Sequence, residues 1–194
     1  MIKKVFIDGG SNLGQSVRKF RQIYDVQNEY IYYMFEPNKK MYDTFFLNTE
    51  FNDCFKYNIA LSNKNEKDVK LWGGDNSHSS IECGATINSS KKITDRFQEN
   101  EYILVDTIML SDFIKQNFKN EEEITLKLDI EAAEYDVFED LINTGVINRI
   151  SKVYCEFHTD KLKHLDYLSY KEREENIKKE LKKINLYPEY WDAL

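Results

Sequence analysis

Three features of this 194-residue chain predict a doubly wound α/β fold with a mostly parallel sheet. Short apolar runs rich in β-branched and aromatic residues alternate with segments whose apolar positions recur three and four apart, the pattern of strands alternating with helices. The first run, Val5-Phe6-Ile7, breaks at once into a glycine turn, Asp8-Gly9-Gly10-Ser11-Asn12-Leu13-Gly14. Polar groups then fall in step at or near the carboxyl ends of five strands: Asp8, Glu36, Asn58, Asp129, and Glu156 with His158. That is the edge along which open parallel sheets bind ligands.

Taken in order, Val17, Phe20 and Tyr24 give the first helix an apolar face. Tyr30 to Phe35 is the second strand, ending in Glu36-Pro37-Asn38, where Asn38 can cap a helix with Met41, Phe45 and Phe46 facing inward. Cys54 to Leu61 reads as the third strand. From 62 to 105 the alternation stops. Val69 to Trp72 and Tyr102 to Val105 can be short strands, flanking polar stretches at Gly73 to Ser80 and Asn88 to Lys92, so this insert can be a substrate lid or an ordinary surface loop. Leu110 to Phe118 is helical, and the acidic Glu121-Glu122-Glu123 leads into the fourth core strand, Ile124 to Asp129. A helix with Tyr135, Phe138, Leu141 and Ile142 inward closes at Gly145. Ile150 to Phe157 is the fifth strand, and Tyr170 to Asn185 a charged helix with a stripe of Ile177, Leu181 and Ile184 and solvent-side pairs Glu174 to Lys178 and Glu175 to Lys179. Leu186 to Leu194 supplies one short strand at most.

Composition sets the limits. The length suits one domain, 1–194, and 41% hydrophobic against 31% charged residues describes a globular chain. A formal net charge of −7 disfavours nucleic acid and anionic membranes as partners. Cys54, Cys83 and Cys155 are too few and too scattered for a zinc ribbon or disulfide framework, which fits a reducing compartment. With neither a leader segment nor a long apolar run to read, the expectation is a soluble, cytoplasmic protein.

The opening turn lacks the G-x-G-x-x-G spacing of a dinucleotide site: Ser11 or Asn12 stands where the second glycine would be. An acid facing a glycine loop suits a ligand that carries a cation, and S-adenosylmethionine is one. Asp8 would meet its ammonium and sulfonium, and free amides at the helix start its carboxylate. Glu36 would accept hydrogen bonds from the ribose hydroxyls, and Asn58 or the backbone near Ala60 would meet adenine. Each has a plain reading as well: a tight turn, a helix-entry charge, a strand-end turn.

Asp8-Gly9-Gly10-Ser11-Asn12-Leu13-Gly14, Phe35-Glu36-Pro37, Asn58-Ile59-Ala60-Leu61, Val105-Asp106-Thr107-Ile108, Leu126-Lys127-Leu128-Asp129-Ile130-Glu131 and Glu156-Phe157-His158 resemble, in order, the FkbM family of S-adenosylmethionine-dependent methyltransferases. The resemblance runs from about Val5 to His158. It implies a Rossmann-like class I methyltransferase fold and O-methylation of a sugar or other hydroxyl-bearing metabolite. Cofactor-binding positions are then Asp8, Gly9, Gly10, Ser11, Asn12, Gly14, Glu36, Asn58, Ala60 and Asp129. Two departures stand out. Ala132-Ala133 occupies the place of the family's usual glycine, which argues against a tight approach of substrate to that helix start, and the segment after Asn185 is short for a closing hairpin, so the C-terminal end is shortened and substrate-gripping elements should be minimal or supplied by a second subunit in a homo-oligomer.

For in-line methyl transfer to a hydroxyl, the protein must align donor and acceptor and accept the departing proton. His158 is the preferred base, with Glu156 orienting it or sharing the substrate; a purely structural His158 is the alternative. Asp129 and Glu131 would hold sugar hydroxyls, and Lys127 would pair with or neutralise buried carboxylate. A divalent cation such as magnesium or manganese among Asp129, Glu131, Glu156 and His158 is chemically admissible but not favoured, and no metal ligand is assigned. The expected partner is a small-molecule or glycan acceptor. Competing readings are a non-catalytic S-adenosylmethionine-binding module or partner subunit, a nucleic-acid methyltransferase and a nicotinamide-dependent oxidoreductase.

Overall fold

The computed structural model describes residues 3–73, 84–92, 101–120, 122–162 and 165–191. The polar stretch Gly74 to Ser80, Cys83 and Glu121 lie outside them.

A five-stranded parallel sheet carries the fold: β1 (Lys4–Gly9), β2 (Tyr30–Phe35), β3 (Phe55–Tyr57), β8 (Glu123–Leu128) and β9 (Ile150–Cys155), in the order β3-β2-β1-β8-β9. The chain winds outward from β1 in one direction, then returns to lay β8 on its other side. The topological switch point therefore falls between β1 and β8, where a crevice opens beyond the strand ends. Alternation along β1 divides the core. Val5 and Ile7 face the helices α4 (Leu110–Asn117), α5 (Glu134–Asn143) and α6 (Leu165–Lys183), through Phe113, Phe138 and Leu181. Phe6 faces α1 (Gln15–Ile23) and α2 (Lys39–Phe46), through Val17, Phe20 and Phe45. Both faces of β1 are buried, as its unbroken apolar run requires.

The anticipated third strand is corrected. Cys54 to Leu61 divides into β3 at the sheet edge and β4 (Ala60–Ser62), which pairs in parallel with β7 (Thr107–Met109) in a separate ribbon. Asn58 causes the break: its side-chain amide donates to the carbonyls of Glu36 and Pro37, both at 2.9 Å, and turns the chain away from the ladder. Inside the 62–105 insert, β5 (Val69–Trp72) and β6 (Tyr102–Val105) form an antiparallel pair. The polar run at Asn88 becomes the short helix α3 (Ser89–Lys92), started by the Asn88 side chain, which accepts from the Ser90 amide at 2.9 Å.

Helix faces are narrower than their spacing suggests. Tyr24, Phe46 and Ile184 are all substantially exposed, because each lies at or beyond a helix end where the apolar stripe has rotated off the sheet. Glu174 does pair with Lys178, but it is also drawn inward to bond the Thr159 hydroxyl, so it is not a simple solvent-side group. The closing segment lays Glu189 beside β9, its amide donating to the Val153 carbonyl and its carbonyl accepting from the Cys155 amide. Trp191 then packs under Phe20 and Tyr154. Among the described residues no helix is long and apolar enough to cross a membrane.

Candidate functional site

The glycine turn after β1 is held tightly by its own groups. Gly10 sits at φ +76°, and a Cβ there would come within 2.0 Å of the Asp129 carbonyl oxygen; Gly14, at φ +82°, lies against the Phe51 ring. Neither position tolerates a side chain. The amides of Gly10 and Ser11 both donate to the Phe35 carbonyl, that of Asn12 to Glu36 Oε2 (2.8 Å), that of Leu13 to the Gln15 side chain and that of Gly14 to the Ser11 carbonyl. These five turn amides are engaged by protein groups, and the turn shapes the crevice.

Asp8 lies beneath the turn, fully buried. In register with it on β8 is Lys127, whose ammonium is 3.0 Å from Asp8 Oδ1 and donates to the carbonyls of Gly9 (3.1 Å) and Gly10 (2.8 Å). Burial works to lower the Lys127 pKa, but the Asp8 and Asp129 carboxylates overcome it and hold the group above its ordinary value. The sequence expectation that Asp8 meets a ligand cation directly is thus not what the geometry offers. A protein cation already occupies that position, and the Asp8–Lys127 pair anchors the turn from below.

Glu36 tops β2. Its Oε2 accepts from Asn12 N and its Oε1 from Asn38 N at 2.9 Å, so it ties the glycine turn to the start of α2. Burial raises its pKa to about 7, against the lowering effect of those two amides and of Lys127. It remains at the wall of a cleft of about 700 Å³, including the part open to solvent, which Gly10, Asn12, Ala60, Asp129 and Glu131 also line. Leu61, Leu71, Ala85 and Ile87 make its apolar side. Of the residues singled out in the sequence, Asp8, Gly9, Ser11, Gly14, Asn58, Glu156 and His158 do not line this cleft. Asn58 is an exposed clasp on the Glu36-Pro37 backbone, not a wall of the cavity.

At the acidic end, β8 runs into a strained turn: Glu131 at φ +56° and Ala132 at φ +76° both sit in the left-handed region. The Ala132 site therefore asks for the backbone that glycine adopts freely, and alanine occupies it under strain. The insert clamps this turn. Thr86 Oγ1 donates to the Glu131 carbonyl (2.5 Å), Asn88 Nδ2 to the Ala132 carbonyl (2.7 Å), and the buried Lys91 pairs with the Glu131 carboxylate. So part of the insert is structural at the cleft mouth, where Gly84, Ala85 and Ile87 also contribute to the wall.

His158 is fully buried behind these acids. Glu134, in the first turn of α5, accepts from both its backbone amide (3.0 Å) and its ring Nδ1 (2.9 Å), while the other Glu134 oxygen accepts from Ala132 N (2.9 Å). A carboxylate can only accept, so Nδ1 carries the hydrogen and Nε2 points forward. Nε2 is 3.1 Å from Glu131 Oε2, 3.7 Å from Asp129 Oδ1 and 3.8 Å from Glu156 Oε1, with no hydrogen bond formed. The preferred base of the sequence reading is therefore walled from the cleft, and Asp129 and Glu131 are the groups that reach it. Glu156 is half-buried and pairs with Lys161 at 2.7 Å.

Three participants escaped sequence reasoning. Glu134 belongs to no motif, and its place directly after Ala132-Ala133 at a helix start is the local signal it offers. Asn88 and Lys91 sat in a stretch with no periodicity, and only the folded insert brings them to Glu131, 40 residues away for Lys91.

The family model described as Methyltransferase FkbM domain matches residues 8–178. No match was found among curated proteins or solved structures.

Proposed function

The chain belongs to the methyltransferase FkbM domain family, and from that premise we propose that it uses S-adenosylmethionine to methylate a hydroxyl oxygen of a sugar or other small metabolite. The observation that carries this reading is the mixed lining of one cleft: apolar at Leu61, Leu71 and Ile87, with carboxylates at Glu36, Asp129 and Glu131. Adenine suits the apolar wall, with the small Ala60 leaving room. Each Glu36 oxygen accepts one backbone amide and keeps a lone pair for a ribose hydroxyl. The sulfonium and ammonium suit the acidic end, where the cofactor's positive charge offsets Asp129 and Glu131. The acceptor hydroxyl belongs at the same end, hydrogen-bonded to these carboxylates. As its oxygen forms the bond to the methyl carbon, the carbon–sulfur pair returns to sulfur and the hydroxyl proton passes to the acidic cluster.

Thermal melts with S-adenosylmethionine, its demethylated product and NAD test the donor. At a hundred times its dissociation constant a ligand adds about 2.7 kcal/mol, or roughly 5–11 °C for a domain of this size. Both sulfur ligands should shift the melt and NAD should not; stabilisation by NAD alone sinks the reading. Transfer of a labelled methyl group onto a panel of free and nucleotide-linked sugars then tests the acceptor, and label appearing on an amine instead would overturn O-methylation.

A further inference from the structure

The arrangement around His158 is unresolved by protein groups alone. Its ring is fully buried, Glu134 fixes Nδ1 as the donor, and Nε2 faces Asp129 Oδ1, Glu131 Oε2 and Glu156 Oε1 without a hydrogen bond. A ring nitrogen facing three carboxylate oxygens without a hydrogen bond calls for positive charge at that point, which a bound cation supplies. Five carboxylates, Asp8, Asp129, Glu131, Glu134 and Glu156, meet only three lysines here among the described residues, Lys91, Lys127 and Lys161. Glu131 is already bonded to Lys91, whereas Asp129 turns one oxygen to Lys127 (4.0 Å) and the other to the imidazole.

We propose that Asp129, Glu156 and His158 form a divalent-cation site, suited to manganese, beside the cleft, with Asp129 the ligand that joins it to the acidic end. Their donor atoms all lie within 4.8 Å of one another. Donors about 2.1 Å from one ion stand about 3 Å apart at a right angle and about 4.2 Å apart across it, so small side-chain movements bring these three onto a common ion. One imidazole with two carboxylates is a mixed donor set that suits manganese better than the all-oxygen preference of magnesium. Glu134 on the far ring nitrogen is the outer partner that a metal-bound histidine ordinarily has, fixing tautomer and ring orientation. Asp129 and Glu156 are partly exposed, which leaves coordination positions open toward solvent and the cleft. Lys161, half-exposed, must release Glu156 when the ion binds.

This inference rests on the methyl-transfer reading for its role. A hydroxyl held by the ion would be more acidic and, with Asp129 and Glu156 engaged as ligands, would release its proton to solvent in place of those carboxylates before its oxygen takes the methyl carbon and sulfur keeps the carbon–sulfur pair.

The test titrates manganese chloride into chelator-treated protein and follows free ion by its paramagnetic resonance signal. One ion per chain is expected, with spin-echo spectra showing coupling to a histidine nitrogen. Glu156→Gln, at a partly exposed position, should weaken binding at least tenfold while keeping the wild-type melting temperature within a few degrees; Lys161→Ala should bind as tightly as wild type or more so. No ion bound at millimolar manganese, unchanged affinity in Glu156→Gln, or a bound ion without nitrogen coupling each overturns the site. Calorimetry of S-adenosylmethionine on the same metal-free protein separates the two claims. Cofactor bound with no manganese site removes the metal alone, and a manganese site with no cofactor binding removes the methyl-donor reading.

Discussion

Replacing Glu36 by glutamine should change how stability depends on pH. The folded protein holds the Glu36 proton with a pKa of about 7, chiefly through burial, against an ordinary value of 4.5. A group whose folded pKa is raised favours folding most fully below its unfolded pKa, and that contribution disappears as pH climbs through the folded one. Between pH 5 and pH 8.5 wild type should therefore lose about 2.5 kcal/mol at this site, a loss that glutamine, which does not titrate, escapes. For a chain of this size that is roughly 5–10 °C. The assay is thermal melting of both proteins without ligand at the two pH values. Glutamine carries a fixed cost, since its NH₂ must face either Asn12 N or Asn38 N. That cost cancels, because only the change with pH is read. The variant should melt well below wild type at pH 5 and recover by several degrees relative to it at pH 8.5. A difference that stays constant across the range would refute the assignment of a raised pKa, and with it the account of Glu36 as a desolvated carboxyl held by two amides.

Four further outcomes follow from the same geometry. Ala132→Gly should stabilise the protein by about 1 kcal/mol in urea unfolding, because it relieves left-handed strain at φ +76° while adding some unfolded-state entropy; a clear loss would show that the buried methyl matters more. Gly10→Ala should abolish S-adenosylmethionine binding in calorimetry and lower the melting temperature, since the new methyl group meets the Asp129 carbonyl. Lys127→Met should cost about 3–5 kcal/mol in chemical unfolding by leaving Asp8 buried without its partner, and an unchanged midpoint would contradict the anchoring role. Asn88→Ala should reduce methyl-transfer turnover more than it weakens cofactor binding, because it releases the Ala132 carbonyl and Tyr170 hydroxyl and loosens the insert at the acidic end; equal effects on both would place the insert in cofactor binding instead.

The central strands and the glycine turn were legible because their signals are local. Val5-Phe6-Ile7 and Tyr30 to Phe35 are apolar on both faces, and a run of that kind must be buried in a parallel sheet whatever surrounds it. The strand-end acids followed from the same logic, and Glu36, Asp129 and Glu131 do converge on one cleft. Family membership was likewise carried by short contiguous motifs. What each acid does once it is there was a matter for the tertiary structure, because charge, exposure and tautomer depend on neighbours distant in the chain. Asp8 could be read as a ligand-facing carboxylate until Lys127, 119 residues on, was seen against it. His158 could be read as a free base until Glu134, 24 residues earlier, took Nδ1 and the surrounding packing closed it off. Hydrophobic periodicity constrains which face of an element is buried, and it carries no information about which polar side chains meet across elements once the sheet has closed.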